Sequence, residues 1–179
     1  MKLSHKQVGV LKGMLTAMAL SILVIAIAVV FDPFSFAGIN TEERKLTVLG
    51  FSLILPTLFL IIPIGRLARH RFFSPEDIDG SALSSGTKRA TLLQSLLQNT
   101  LEQFILTVVV YLIWALTMPV GWLSVLPLNA LLFAIGRFAF FVGYKNGAPA
   151  RAFGFALTFY PTALLMLILI AYQLAVFLN

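Results

Sequence analysis

The chain has no cysteine, and only 11% of its 179 residues are charged. The missing cysteines exclude disulfide frameworks, thiolate metal sites and a nucleophilic thiol of the protein's own. Any thiol chemistry would have to use a thiol that another molecule carries in. The scarcity of charge excludes a water-facing surface, because soluble domains carry about 25% charged residues. The two histidines, His5 and His70, sit beside basic clusters, and no Ser-His-Asp set, metal-ligand spacing or phosphate-binding glycine loop occurs. Asp77-Ile78-Asp79-Gly80 lacks the later bidentate carboxylate of a calcium loop, so no metal site is expected.

What remains is hydrophobic: 59% of the residues are apolar, and the mean hydropathy is +0.95. At 179 residues the chain leaves no room for a separate soluble module. A helix needs about 20 apolar residues to cross the hydrocarbon core. Gly13 to Phe31 and Leu46 to Gly65 each supply one span. Gln103 to Gly136 is too long for one span and breaks at Met118-Pro119-Val120-Gly121, giving a third that ends near Leu116 and a fourth that begins near Trp122. Ala152 to Leu178 is the fifth. The first run resembles a signal peptide, with Ser35-Phe36-Ala37 as a small-residue cleavage site, but it exceeds the usual length of about 7–15 apolar residues and reads as a retained helix. Gly9-Val10-Leu11-Lys12-Gly13 matches a small-residue packing pattern that its lysine weakens. Prolines 56, 63, 127 and 161 fall inside spans, where a packed bundle tolerates them as kinks. The polar stretch Phe72 to Thr87, with Ser84 and Ser85, reads as a mobile connector ending at Thr87, a helix N-cap.

Of the 13 lysines and arginines, only Arg44 and Lys45 fall on one side of this topology. The imbalance predicts a cytoplasmic amino terminus and an outer carboxyl terminus, as in a bacterial inner membrane, with Trp114 and Trp122 in the outer aromatic belt. It also accounts for the net charge of +6 without nucleic acid, since the basic residues end apolar runs and form no stripe with stacking aromatics.

Ionisable side chains at membrane depth are costly and mark candidate sites. A helix from Lys88 to Leu116 would be roughly 43 Å long, so its first turns project beyond the hydrocarbon. Ser95, Asn99 and Glu102 share one face of it, with Gln94 and Gln98 beside them. On the fourth helix, Arg137, Phe141 and Tyr144 share a face with Phe140 at its edge, and Arg151 opens the fifth. These groups converge at one level, where they either bind a polar ligand or neutralise one another through a Glu102–Arg137 pair.

Gln98-Asn99-Thr100-Leu101-Glu102-Gln103, then Arg137-Phe138-Ala139-Phe140-Phe141-Val142-Gly143-Tyr144 and Arg151, resemble the MAPEG family, the membrane-associated proteins of eicosanoid and glutathione metabolism. The resemblance implies an all-α polytopic membrane protein: a four-helix bundle over residues 46–179, preceded by an arm and an additional transmembrane helix over residues 1–45. It further implies a homotrimer in the lipid bilayer with glutathione as co-substrate. Asn99, Glu102, Arg137, Tyr144 and Gln98 would hold the tripeptide, and Arg151 would stabilise its thiolate for attack on a lipophilic small molecule. Ser95 and Phe140 stand where many members have an arginine and a tyrosine, and Gln103 and Asn146 also depart from the pattern. A glutathione-dependent transferase or peroxidase is therefore one expectation, a non-catalytic binding or scaffold protein another, and a transporter a third.

Overall fold

The computed structural model of the chain describes residues 3–36, 42–80, 83 and 86–178. Ala37 of the small-residue pattern, Ser84 and Ser85 of the connector, and Lys2 lie outside them. The described residues form five α-helices and no strand: α1 His5–Phe31, α2 Glu42–Phe72, α3 Lys88–Thr117, α4 Val125–Gly143 and α5 Ala148–Leu178. Short 3₁₀ turns, Val120–Trp122 and Tyr144–Asn146, flank α4. All five helical segments are long and apolar enough to cross a membrane. Their outward faces carry exposed hydrophobic side chains such as Phe51, Ile61, Phe138 and Leu167, which water would reject and lipid accepts.

The helix starts follow from local chemistry. Ser4 begins α1 with a capping box: its hydroxyl accepts from the Gln7 amide at 3.3 Å, and the Gln7 side-chain oxygen accepts from the Ser4 amide at 2.8 Å. Thr87 caps α3 as expected, accepting from the Ala90 amide at 3.2 Å. Pro56, Pro63 and Pro161 lie inside α2 and α5. Pro127 also lies within a span, in the first turn of α4, where a missing amide proton costs nothing.

Small residues set the packing. α1 runs parallel to α5, and a Cβ on Gly9 would come within 2.9 Å of the Pro149 side chain, one on Gly13 within 2.9 Å of the Phe153 backbone. The four-residue pattern judged weak from sequence is therefore a real helix contact, continued by buried Ala17, and Lys12 is exposed and does not obstruct it. Between α4 and α5 the approach is closer still. A Cβ on Gly154 would lie 2.7 Å from the Gly136 carbonyl oxygen, and one on Gly143 would lie 2.7 Å from the Ala150 carbonyl carbon. At the far end Trp114 is wholly buried, so it is no lipid-facing belt residue. Its indole N–H donates to the Trp122 carbonyl at 3.2 Å and closes the turn. The Ser124 hydroxyl donates to Asp32, which fastens the end of α1 to the same turn.

The connector after α2, expected to be mobile, is pinned in its described part. Asp77 is 1% exposed. Its carboxylate accepts from the Thr87 hydroxyl at 2.7 Å, the Thr87 amide at 2.8 Å, Ser74 at 3.0 Å and His70 at 2.8 Å. An ionised carboxylate can only accept, so His70 Nε2 is the donor. The Thr87 hydroxyl and amide, helped by Ser74 and His70, hold the Asp77 carboxyl down at about 2 against an ordinary 3.8. A carboxyl held down stabilises the fold while ionised. That contribution is complete above the ordinary value and disappears as pH falls through about 2. Hydrogen–deuterium exchange across residues 74–91 should accordingly rise on acidification through this window. Asp77→Asn should show the same rise at neutral pH; unchanged exchange in that variant would remove the clamp.

Candidate functional site

The site grows out of the glycine-mediated contact between α4 and α5. Where those backbones nearly touch, Arg137 and Phe140 of α4 lie against α5. Arg137 is fully buried, an expensive place for a guanidinium. Its Nε–H donates to the Thr158 hydroxyl at 3.0 Å, and Nη1 donates to the Asn99 side-chain oxygen at 2.8 Å. Thr158 in turn donates to the Gly154 carbonyl at 2.8 Å. The Arg137 guanidinium also lies 4.5 Å from the centre of the Phe140 ring, a cation–π contact that lowers its desolvation cost. Nη2 is buried with no hydrogen-bond partner among the described residues.

Arginine has only donors, so its bond to Asn99 fixes the orientation of that amide. The oxygen faces Arg137, and the Asn99 NH₂ remains as a donor on the other side. Asn99 also borders a cleft of about 450 Å³. Asn99, Phe140, Tyr144, Arg151 and Tyr160 line it, and Val10 and Met14 of α1 form its apolar wall. The Arg151 guanidinium sits 4.6 Å over the Tyr144 ring, and Phe140 meets Tyr144 edge-on at 5.2 Å. Among the described residues no carboxylate lines this space. The arrangement offers one full positive charge, an amide donor and phenol hydroxyls to a ligand, against an apolar back wall. It suits an anionic or nucleophilic group with a hydrophobic neighbour.

The structure thus gathers Asn99, Tyr144 and Arg151 from three helical segments into one cleft. Arg137 stands behind Asn99 and does not line the cleft. Glu102 is exposed and accepts from the Gln98 amide at 3.0 Å, so neither reaches the cleft within one chain, and the Glu102–Arg137 pair does not form. Phe140, rather than Phe141, belongs to the site; Phe141 turns toward Phe59 of α2, with ring centres 6.2 Å apart. Sequence reasoning missed Thr158, Tyr160, Val10 and Met14. Thr158 carries a faint signal, a hydroxyl seven residues after Arg151 in a mostly apolar stretch. Nothing local marks Val10 or Met14, since their role comes only from where α1 docks.

The MAPEG family model matches residues 46–171, more than half of the chain, spanning α2 to α5 and leaving out α1. No curated protein and no solved structure matches the chain.

Proposed function

Because the chain belongs to the MAPEG family, a family of membrane helical bundles, we propose that this integral membrane protein binds glutathione in the Arg151 cleft and directs its thiol to lipophilic electrophiles. The observation that carries the reading is Arg151 itself. Its guanidinium opens into a cleft of about 450 Å³ beside Asn99 and Tyr144, with no carboxylate among the described lining residues. That volume falls within the roughly 300–1,000 Å³ of small-molecule sites. When bound, the tripeptide supplies the nucleophilic sulfur that a chain without cysteine lacks.

The chain's own residues do the rest. Arg151 favours the ionised thiol by its charge, since a cation within a few ångströms lowers the pKa of an acidic group. Asn99 donates to the ligand in an orientation that Arg137 imposes, so Arg137 is a positioning residue in this reading. The hydroxyl of Tyr144 is a second donor. Val10, Met14 and Phe155 exclude water from the acceptor's side. Glu102 and Gln98, exposed on α3, are where a neighbouring subunit of a homotrimer completes the ligand's peptide end. Residues 46–179 carry the polar groups that hold glutathione, and residues 1–45 add the apolar wall of Val10 and Met14, with the amino terminus cytoplasmic as the basic residues direct.

The test is direct. In detergent, glutathione at about 100 times its Kd should add about 2.7 kcal/mol of stability, and bound glutathione should show the ultraviolet absorbance of an ionised thiol at neutral pH. If millimolar glutathione changes neither, the reading fails. Stabilisation without turnover across a panel of electrophiles would favour a binding or scaffold role for the same cleft.

A further inference from the structure

A second cleft, sharing no residue with the first, lies at the same end of the bundle and encloses about 910 Å³. Five cations line it: Arg66 and Arg69 from the end of α2, Lys88 and Arg89 from the start of α3, and Lys145 from the turn after α4. Three segments far apart in sequence therefore present positive charge to one space. No carboxylate lines it among the described residues. Membrane topology alone asks for basic residues at this end, but not for their convergence, because like charges brought together repel.

The convergence is built. Of the three acids on the adjoining connector, Asp77 is buried and saturated by Thr87, Ser74 and His70, while Glu76 and Asp79 are exposed and do not line the cleft. His70 and Ser74 are themselves cleft residues. The clamp thus ties the residue just before Lys88 and Arg89 to the end of α2, and holds the two basic pairs opposite each other. The amino-terminal end of α3 adds its own partial positive charge to the same place.

A further observation identifies the ligand's surroundings. The segment beside this cleft carries large hydrophobic side chains in the open: Phe72 and Phe73 are each 74% exposed, and Leu83 is 81% exposed. Ile78 is exposed beside them. Phe73 also lines the cleft, together with Leu92 and Leu93. Exposed aromatic and aliphatic side chains beside a cationic cluster are the chemistry of a bilayer interface, where apolar groups enter the acyl boundary and basic groups meet headgroups.

We propose that this basic cleft is a binding site for the phosphate headgroup of an anionic phospholipid, with Phe73, Leu92 and Leu93 against the start of its acyl chains. The site is independent of the glutathione reading. Five cations grip the phosphodiester, and the flanking Phe72, Ile78 and Leu83 seat the connector on the membrane.

The experiment uses the full chain in nanodiscs or mixed micelles, with phosphatidylglycerol, phosphatidylcholine and inorganic phosphate as separate probes. Native mass spectrometry and thermal shift should show retained phosphatidylglycerol and a stabilisation that phosphatidylcholine does not give. Removing two cleft charges together, Arg69→Gln with Lys88→Gln, should weaken phosphatidylglycerol binding about thirtyfold, from about 1 kcal/mol per basic residue at a membrane surface. Lys145→Gln alone, from the third segment, should weaken it about fivefold on the same basis. Removing the same charge elsewhere at this end, Lys6→Gln with Lys12→Gln, should leave it unchanged. Equal loss in both double variants would overturn the site in favour of diffuse attraction. Binding of inorganic phosphate that displaces the lipid at millimolar concentration would overturn the lipid as ligand.

Discussion

Arg151→Ala is expected to lower glutathione-dependent turnover by about a hundredfold or more, the usual effect of deleting one group that stabilises developing charge. The bundle should survive the change. Arg151 lies near the start of α5, half-buried, with its guanidinium over the face of Tyr144. What disappears, in the proposed complex, is the cation that would lie beside the glutathione thiol. The acidic limb of the pH–rate profile should then move to higher pH by about 1 to 3 units, the span over which a nearby opposite charge shifts an ionisable group. Arg151→Lys keeps the charge and loses the planar stack on Tyr144, so its profile should sit between the two. A kcat/KM pH series on the three proteins decides the matter. Wild-type turnover in Arg151→Ala, or a fall with no movement of the limb, would take Arg151 out of thiol activation.

The second large effect concerns packing. Gly154→Ala should destabilise the protein by about 1–3 kcal/mol, the range for overfilling a packed core, and should abolish ligand binding as well. The new methyl group would meet backbone atoms: the Gly136 oxygen at 2.7 Å and the Phe140 Cα at 2.8 Å. A flexible side chain could turn aside, but these atoms move only if α4 and α5 separate. Separation pulls Arg137 from Thr158 and releases the Asn99 amide that Arg137 orients. Gly50→Ala supplies the comparison. It sits in α2 with nothing within 4 Å of the added atom, so helix propensity alone should leave it neutral or slightly more stable. Thermal unfolding and glutathione titration of the two variants should diverge. Similar behaviour of both would show that the α4–α5 contact can spread without consequence.

The five helices were legible because each is written locally, as an uncharged run set off by charged residues or by the Pro119-Val120-Gly121 break. Thr87 was legible as a cap for the same reason, with a polar oxygen at the start of a helical run. Asn99, Tyr144 and Arg151 could be singled out because polar side chains in apolar helices are few. The rest depended on distance. Helical spacing put Phe141 with Arg137, yet Phe140 takes the place because Gly154 admits α5 close to its backbone. Lys12 argued against Gly9 and Gly13 as a packing surface, but a helix has several faces and the lysine points elsewhere. A polar connector rich in Ser, Asp and Gly reads as loose, and only the burial of Asp77 reveals its anchor. Thr158 gave too small a signal, since one hydroxyl in a membrane helix ordinarily satisfies its own backbone.

The docking of α1 along α5 has a consequence in time. Met14 and Arg151 face the same cleft, yet α1 leaves the ribosome well before α5 does. The enclosed space therefore does not exist until α5 has been made. The early helix enters the bilayer with its Gly9–Gly13 seam unfilled and keeps it so until its distant partner follows. Every intermediate chain length has the cleft's wall without its guanidinium. The cleft is thus absent from each nascent form that stops short of α5 and arises only once that helix has docked on α1.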